Sequence, residues 1–204
     1  MGRPPRHAEA TILESAKRLS AEVGPQKLTI AAVARGAGAP VGSIYHRYAS
    51  RDEILAAVWL DLVEAFQAPF LAELEGDDPI AAGLAAVRYS CRWVRRHLRD
   101  SRLMLLHRRE DFAAERWPLS YRRRADALAA QAVERLRGYA LRLLGRGGPT
   151  ELRIVRFVLV DLPMAALKRD VELGVSPSKH VEALLLETCS DALRRAQRRG
   201  GRVG

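Results

Sequence analysis

Between Gly38 and Tyr48 the chain reads GAPVGSIYHRY, and its chemically capable side chains are a phenol, an imidazole and a guanidinium: Tyr45, His46 and Arg47. A second guanidinium follows at Arg51. All four can bond to phosphate oxygens, and they sit in a segment too polar and too small-residued to form a core. Gly42 and Ser43, just ahead of them, are small enough to let a backbone approach base edges closely. Ile44 and Tyr48 stand four residues apart, so they share a helical face and can turn inward to hold the segment. Catalytic chemistry has no comparable cluster. His107, Glu110 and Cys91 lack a metal-ligand spacing, no glycine loop cradles a phosphate, and no Ser or Cys sits in a nucleophile motif. No catalytic residue, metal or cofactor is expected.

The chain has 204 residues, 48% of them hydrophobic, which is enough for a sizeable core. Ala, Leu, Arg and Glu dominate, apolar residues recur at three- and four-residue steps, and strict strand alternation is hard to find; the expected fold is all-α. A formal charge of +10 fits a polyanionic partner, although Lys17, Lys27, Lys168 and Lys179 are the only lysines and total charge matters less than its position. Cys91 and Cys189 each fall in a helical pattern, as reduced buried thiols of a cytoplasmic protein would. No apolar run follows the basic start and no uninterrupted apolar stretch approaches membrane-spanning length, so no membrane role is expected.

The elements that must position the polar segment follow from periodicity and caps. A first helix is expected from about residue 8 to 23, with Ile12, Ala16, Leu19 and Val23 on one face and Gly24-Pro25 as its stop. Thr29 is placed to N-cap a short helix, Ile30 to Gly36, that buries Ile30, Val33 and Ala34. Ala37-Gly38-Ala39 supplies a tight turn. Pro40, with fixed φ and no N–H to lose, suits the first turn of another short helix reaching about Tyr48. Ser50-Arg51-Asp52-Glu53 has the form of a capping box, so a long helix is expected from about Arg51 to Leu74, bent where Pro69 frees the carbonyl of Ala65. Further helices are expected at about 79–99, 101–109, 118–144, 150–173 and 177–199. Thr150 is expected to cap the first of the last two, with Pro163 kinking it, and Ser176 the second, with Pro177 at its first position. That makes nine helices in two groups.

Two short helices joined by a three-residue turn containing glycine, with a longer helix in support, make a helix-turn-helix, whose second helix lies in the major groove of DNA. Tyr45, His46 and Arg47 would then sit beside phosphates, with Arg51 adding another cation. The alternatives are a half-buried tyrosine at 45 and solvated surface groups at 46 and 47. The run LTIAAVARGAGAPVGSIYHRYASRDEIL, Leu28 to Leu55, resembles the DNA-binding signature of the TetR family of transcriptional regulators. The shared features are a Thr-led helix, an Ala-Gly turn, a Gly-Thr-Leu-Tyr recognition helix and a Tyr/His-Phe-x-x-Lys-x-x-Leu run. The resemblance covers roughly the first quarter of the chain; the remainder is similar in being helical and of suitable length.

The resemblance implies a homodimeric repressor with a DNA-binding head at residues 1–50 and an effector-binding and dimerisation domain at 51–204, joined by a long fourth helix. Carried over by position, Val41, Gly42, Ser43 and Tyr45 would face bases, while Thr29, His46, Arg47 and Arg51 would contact the DNA backbone. This chain departs from the family in having Pro40 where Ser is common, Arg47 for Tyr or His, and Arg51 for Lys. The two arginines keep phosphate contact, whereas Pro40 removes a serine cap. The leader Gly2-Arg3-Pro4-Pro5-Arg6 either reaches into a minor groove, as basic arms do, or goes unused.

In the rest of the chain, Leu152, Val155, Leu159 and Leu162, then Val181, Leu184, Leu185, Thr188 and Ala192, form two apolar stripes. They resemble the helix pair with which the family builds a four-helix bundle between subunits; internal core is the other reading. Such a dimer presents its reading helices to half-sites roughly 34 Å apart. Trp93, Met104, Trp117 and Tyr121, with His97 and His107 as polar partners, could line an effector cavity or be core. Arg88, Arg92, Arg95 and Arg99 share one helical face, either solvated or a draw for an anionic effector.

The expected activity is ligand-responsive repression, with a palindromic double-stranded DNA operator, a second copy of the chain and an unidentified small molecule as partners. No enzyme activity is expected. An effector-independent architectural DNA-binding protein and an activator of the same fold are the alternatives, the first marked by steep salt dependence with little preference among sequences.

Overall fold

The computed structural model describes residues 5–200, and side chains from 9 to 199. The leader Gly2 to Arg6 lies outside the side chains described. Among the described residues there are ten α-helical segments and no strand. They are α1 Pro5–Val23, α2 Ile30–Ala37, α3 Val41–Tyr45, α4 Arg51–Glu73, α5 Pro79–Arg96, α6 Leu98–Leu106, α7 Leu119–Leu144, α8 Pro149–Arg156, α9 Leu162–Glu172 and α10 Lys179–Gly200. A π-helical turn, Phe157–Asp161, makes α8 and α9 one rod, which gives the nine helices expected of an all-α fold. By packing the chain divides into two compact units: residues up to Val63 with Arg102–Asp126, and Glu64–Ser101 with Ala127 onward.

The first unit contains α1, α2 and α3. Ile12, Ala16, Leu28, Val33, Ile44, Tyr48, Ile54, Leu55 and Val58 are buried there, and the Ser15 hydroxyl donates to the Val33 carbonyl at 3.1 Å, tying α1 to α2. α1 ends at Val23 before Gly24-Pro25, as expected, and a short 3-10 turn, Pro25–Lys27, follows with proline at its start. α4 opens as its sequence predicts, the Ser50 hydroxyl accepting the Glu53 N–H at 3.1 Å. The Glu53 carboxylate reaches back to the Ala49 N–H at 2.7 Å, one residue beyond the usual partner in a capping box. By length and composition α4 could cross a membrane, although Asp61 and Glu64 interrupt its apolar run, as the expectation of no uninterrupted stretch of that length requires. Ile54, Leu55, Ala56, Val58, Leu60 and Leu62 in it are nonetheless covered by protein.

In the second unit Pro69 lies inside α4, and the Ala65 carbonyl it deprives of a partner accepts the Tyr89 hydroxyl at 3.4 Å. Asp78 caps α5 through the N–H groups of Ile80 and Ala81, at 2.8 and 3.4 Å. That helix ends three residues earlier than expected, because His97 turns to φ −128° and ψ 50°. Neither late cap falls where the sequence placed it. Pro149 takes the first position of α8 behind Gly148, so Thr150 is already inside the first turn and caps nothing. At α10 the cap is Ser178, accepting the Val181 N–H at 3.1 Å; Pro177 is buried ahead of the helix with its carbonyl held by Arg95 at 2.9 Å. Pro163, where a kink was expected, follows a π-turn in which the Leu162 N–H bonds to the Phe157 carbonyl, and the rod so accommodates a residue that cannot donate.

A glycine sets the closest approach in this unit. A Cβ on Gly83 would lie 2.3 Å from the Tyr139 hydroxyl oxygen, which itself donates to the Pro79 carbonyl at 2.7 Å, and 3.0 Å from Leu193 Cδ1. Gly83→Ala is expected to destabilise the chain by about 2 kcal/mol through overpacking, read as a lower urea midpoint. Cys91 and Cys189 are both buried, and burial pushes each thiol up to about 11 from an ordinary value near 9. Because the folded value is the higher one, the neutral thiols stabilise the fold fully below pH 9 and lose that contribution as pH rises towards 11. The native chain should therefore resist iodoacetamide near neutral pH and lose urea resistance across that alkaline interval.

Candidate nucleic-acid interface

The reading segment is built by caps on each side of a glycine. Thr29 caps α2 as expected, its side chain accepting the Ala32 N–H at 3.2 Å. The helix ends at Gly38, with φ 62° and ψ 31°, where the Gly38 N–H bonds to the Arg35 carbonyl and the Ala39 N–H to the Ala34 carbonyl. Glycine takes that left-handed conformation without a side-chain penalty, which sets the angle at which the next helix leaves. Pro40 is the N-cap of α3 rather than part of its first turn, and its carbonyl accepts the Ser43 N–H at 3.0 Å. α3 is also shorter than the expected reach to Tyr48. The N–H groups of Arg47 and Tyr48 both turn to the Ile44 carbonyl at 2.9 Å, and this shared acceptor closes the helix.

The five-residue helix presents two different faces. Ile44 is fully buried and Tyr48 nearly so, its hydroxyl pushed well above the ordinary phenol range by that burial. Tyr45 is 54% exposed and Val41 44%, with Gly42 and His46 exposed beside them. Ser43 and Arg47 are half-buried, the Arg47 guanidinium donating to the Ser43 carbonyl at 3.0 Å. A Cβ on Gly42 would meet nothing within 4 Å, so the protein's own packing does not demand a glycine there. Its bareness opens the backbone to whatever approaches from outside.

Residues 12–58 match the family model described as bacterial regulatory proteins, tetR family. The chain thus carries a TetR-family region towards its N-terminal end. Its fold is that of solved TetR-family regulators. FadR from Bacillus halodurans is 14% identical over 95% of this chain and 96% of its own, with a TM-score of 0.70. PfmR from Thermus thermophilus is 21% identical over 90% and 97%, with a TM-score of 0.67. FadR from Bacillus subtilis, solved in complex with stearoyl-CoA, is 14% identical over 92% and 98%, with a TM-score of 0.68. No curated protein matches the chain.

In this TetR-family head the guanidinium of Arg51, an expected phosphate contact, is engaged by the protein itself. The Arg51 Nε donates to the Leu28 carbonyl at 2.7 Å and Nη2 to those of Pro25 and Gln26 at 3.0 and 2.6 Å. Nη1 pairs with Asp52 at 3.2 Å, and only 27% of the side chain is exposed.

The sequence reading also missed the segment from Arg109 to Trp117, whose two 3-10 turns belong to the same unit as the head. Asp111 accepts the Gln26 side chain at 2.8 Å, Arg116 reaches Asp52 at 3.2 Å, and the Phe112 ring lies 5.2 Å from that of Trp59. A 3-10 stretch has no helical period to reveal it; two aromatics among charges, Phe112 and Trp117, were the available signal.

The residues expected to line an effector cavity divide between the units. The Trp93 and His97 rings lie 5.4 Å apart at a tilt of 31° in the second, with Trp93 edge-on to Phe66. Met104, His107, Trp117 and Tyr121 belong to the first. There Trp117 is core, its Nε1 donating to the Phe112 carbonyl at 2.7 Å beneath the Arg109 guanidinium. His107 lies edge-on to Phe112, and Tyr121 is pushed up to about 12, by burial first and then by Glu53. On the arginine face, Arg92 pairs with Glu73 at 3.0 Å and Arg95 with Glu182 at 2.5 Å, so these charges are balanced within the protein. No group of His, Cys, Asp and Glu among the described residues could hold a metal ion.

The two late stripes are mixed. Val155, Leu159 and Leu185 are buried, Leu152, Leu162, Val181 and Ala192 half-buried or partly exposed, and Leu184 and Thr188 exposed. Ile154 and Phe157, outside the expected stripe, are exposed and line a groove of about 390 Å³ with Leu144, Val158 and Ala196.

Proposed function

We propose that this regulator is a cytoplasmic, ligand-responsive repressor that binds a palindromic operator as a homodimer and is released by a small-molecule effector. The observation that carries the reading is α3, a five-residue helix pinned by buried Ile44 and Tyr48 that turns Val41, Gly42 and Tyr45 outward. On this reading Val41, Gly42, Ser43 and Tyr45 face bases, while Thr29, His46 and Arg47 meet the DNA backbone. The head corresponds to residues 1–50 and the remainder carries the effector and the dimer contact. The exposed apolar residues Ile154, Phe157 and Leu184 support an interface on the α8–α9 rod and α10, a pairing that two-fold symmetry would complete.

Effector release needs only a ligand that prefers the state unable to bind DNA; a hundredfold preference corresponds to about 2.7 kcal/mol of coupling. The stearoyl-CoA complex of the Bacillus subtilis protein makes acyl thioesters the first ligands to try. The test is to select duplexes from a random library with the purified chain, then titrate the selected duplex with acyl-CoA esters. Recovery of an inverted repeat released by one ligand supports the reading. Equal binding of all sequences with a steep salt dependence would sink it.

A further inference from the structure

We infer that Arg51 acts on DNA at one remove: its guanidinium is a strut that fixes the Pro25–Leu28 turn against the start of α4, and so positions the reading helix without touching a phosphate. The inference rests on the DNA-reading role proposed above for α3. Four donor directions of the planar fork are engaged by the carbonyls of Pro25, Gln26 and Leu28 and by Asp52. Those three carbonyls belong to the 3-10 turn and its C-cap, and Leu28 is buried immediately before Thr29, the cap of α2. From there the chain needs only α2 and the Gly38 turn to reach α3. Asp52 is shared, one oxygen taken by Arg51 and the other by Arg116, each at 3.2 Å. The strut is thereby joined to the segment from Arg109 to Trp117, which also holds the same turn through Asp111 and Gln26.

Lysine separates the two roles. It keeps the charge and binds phosphate as a compact point, but it cannot present a fixed fork to three separate carbonyls. If Arg51 met a phosphate, Arg51→Lys would leave operator affinity nearly intact. As a strut it is expected to lose about tenfold, the size of one charge-assisted hydrogen bond, with the slope of log K against log salt unchanged. Amide exchange in the variant should quicken over residues 25 to 30 while the rest of the unit keeps its protection. Parental affinity in Arg51→Lys, or exchange raised through the whole unit, would overturn the assignment.

A measurement on the parent chain guards against a variant that fails to fold. The Arg51 Nε–H resonance is expected to exchange slowly with solvent in the free protein and to stay unmoved when the selected duplex is added. Free exchange without DNA, with protection appearing only on its addition, would also overturn it. A parent chain that bound no duplex would defeat the DNA-reading role itself, and the free-state resonance would still report whether the strut exists.

Discussion

Tyr45→Ala is expected to bind the selected operator about 10- to 100-fold more weakly than the parent, the cost of about 1–3 kcal/mol typical of a lost base contact. The ring is more than half exposed, while Ile44 and Tyr48 anchor α3 from the other side. Removing an exposed ring from a helix held by its opposite face leaves the core intact, so thermal unfolding and the size of the assembly should stay at parental values. Fluorescence anisotropy with the labelled duplex, together with a melting curve, checks both halves. Unchanged affinity would remove Tyr45 from the interface and with it the main support for the reading of α3.

Trp117→Ala should act in the opposite way, through stability first. Truncating a fully packed tryptophan costs about 3–5 kcal/mol, because the cavity cannot fully collapse. Here the loss includes the hydrogen bond to the Phe112 carbonyl and the surface beneath Arg109. Urea unfolding followed by circular dichroism should show the deficit, with Trp117→Phe recovering much of the apolar part but not the hydrogen bond. DNA binding should weaken in parallel, since Trp117 belongs to the same compact unit as the reading helix. A cost below about 1 kcal/mol would mean that the ring lines open space, and the expectation that it borders an effector cavity would regain ground.

These two residues also mark where sequence reading succeeds and where it stops. The helix-turn-helix was legible because each of its parts is specified locally. Thr29 can cap only the helix on its C-terminal side, Gly38 accepts the left-handed turn, and Ser50 with Glu53 closes the first turn of α4. The inward pair Ile44 and Tyr48 follows from spacing alone. Trp117 shows the limit. Its burial depends on Phe112 and Arg109, which lie in one 3-10 turn whose residues do not repeat at a helical interval. Arg51 is a second case, since its charge and position suit a phosphate and only the fold shows three carbonyls within its reach. Late in the chain, Ser176 and Ser178 both had the chemistry of a cap, and the choice depended on how buried Pro177 met Arg95 from another helix. Phe157 fell outside the expected stripe because that stripe follows the face turned to the chain's own core, where Val155 and Leu159 are buried.

The π-turn gives the rod from Pro149 to Glu172 a fixed phase mark. One residue more per turn advances every following side chain by about 100°, so the ridges ahead of the π-turn and those behind it do not line up. A second helix laid along such a rod has a single setting in which both halves are matched; sliding by one turn satisfies one half and spoils the other. Regular helices allow such slippage, and this one forbids it with a single inserted position.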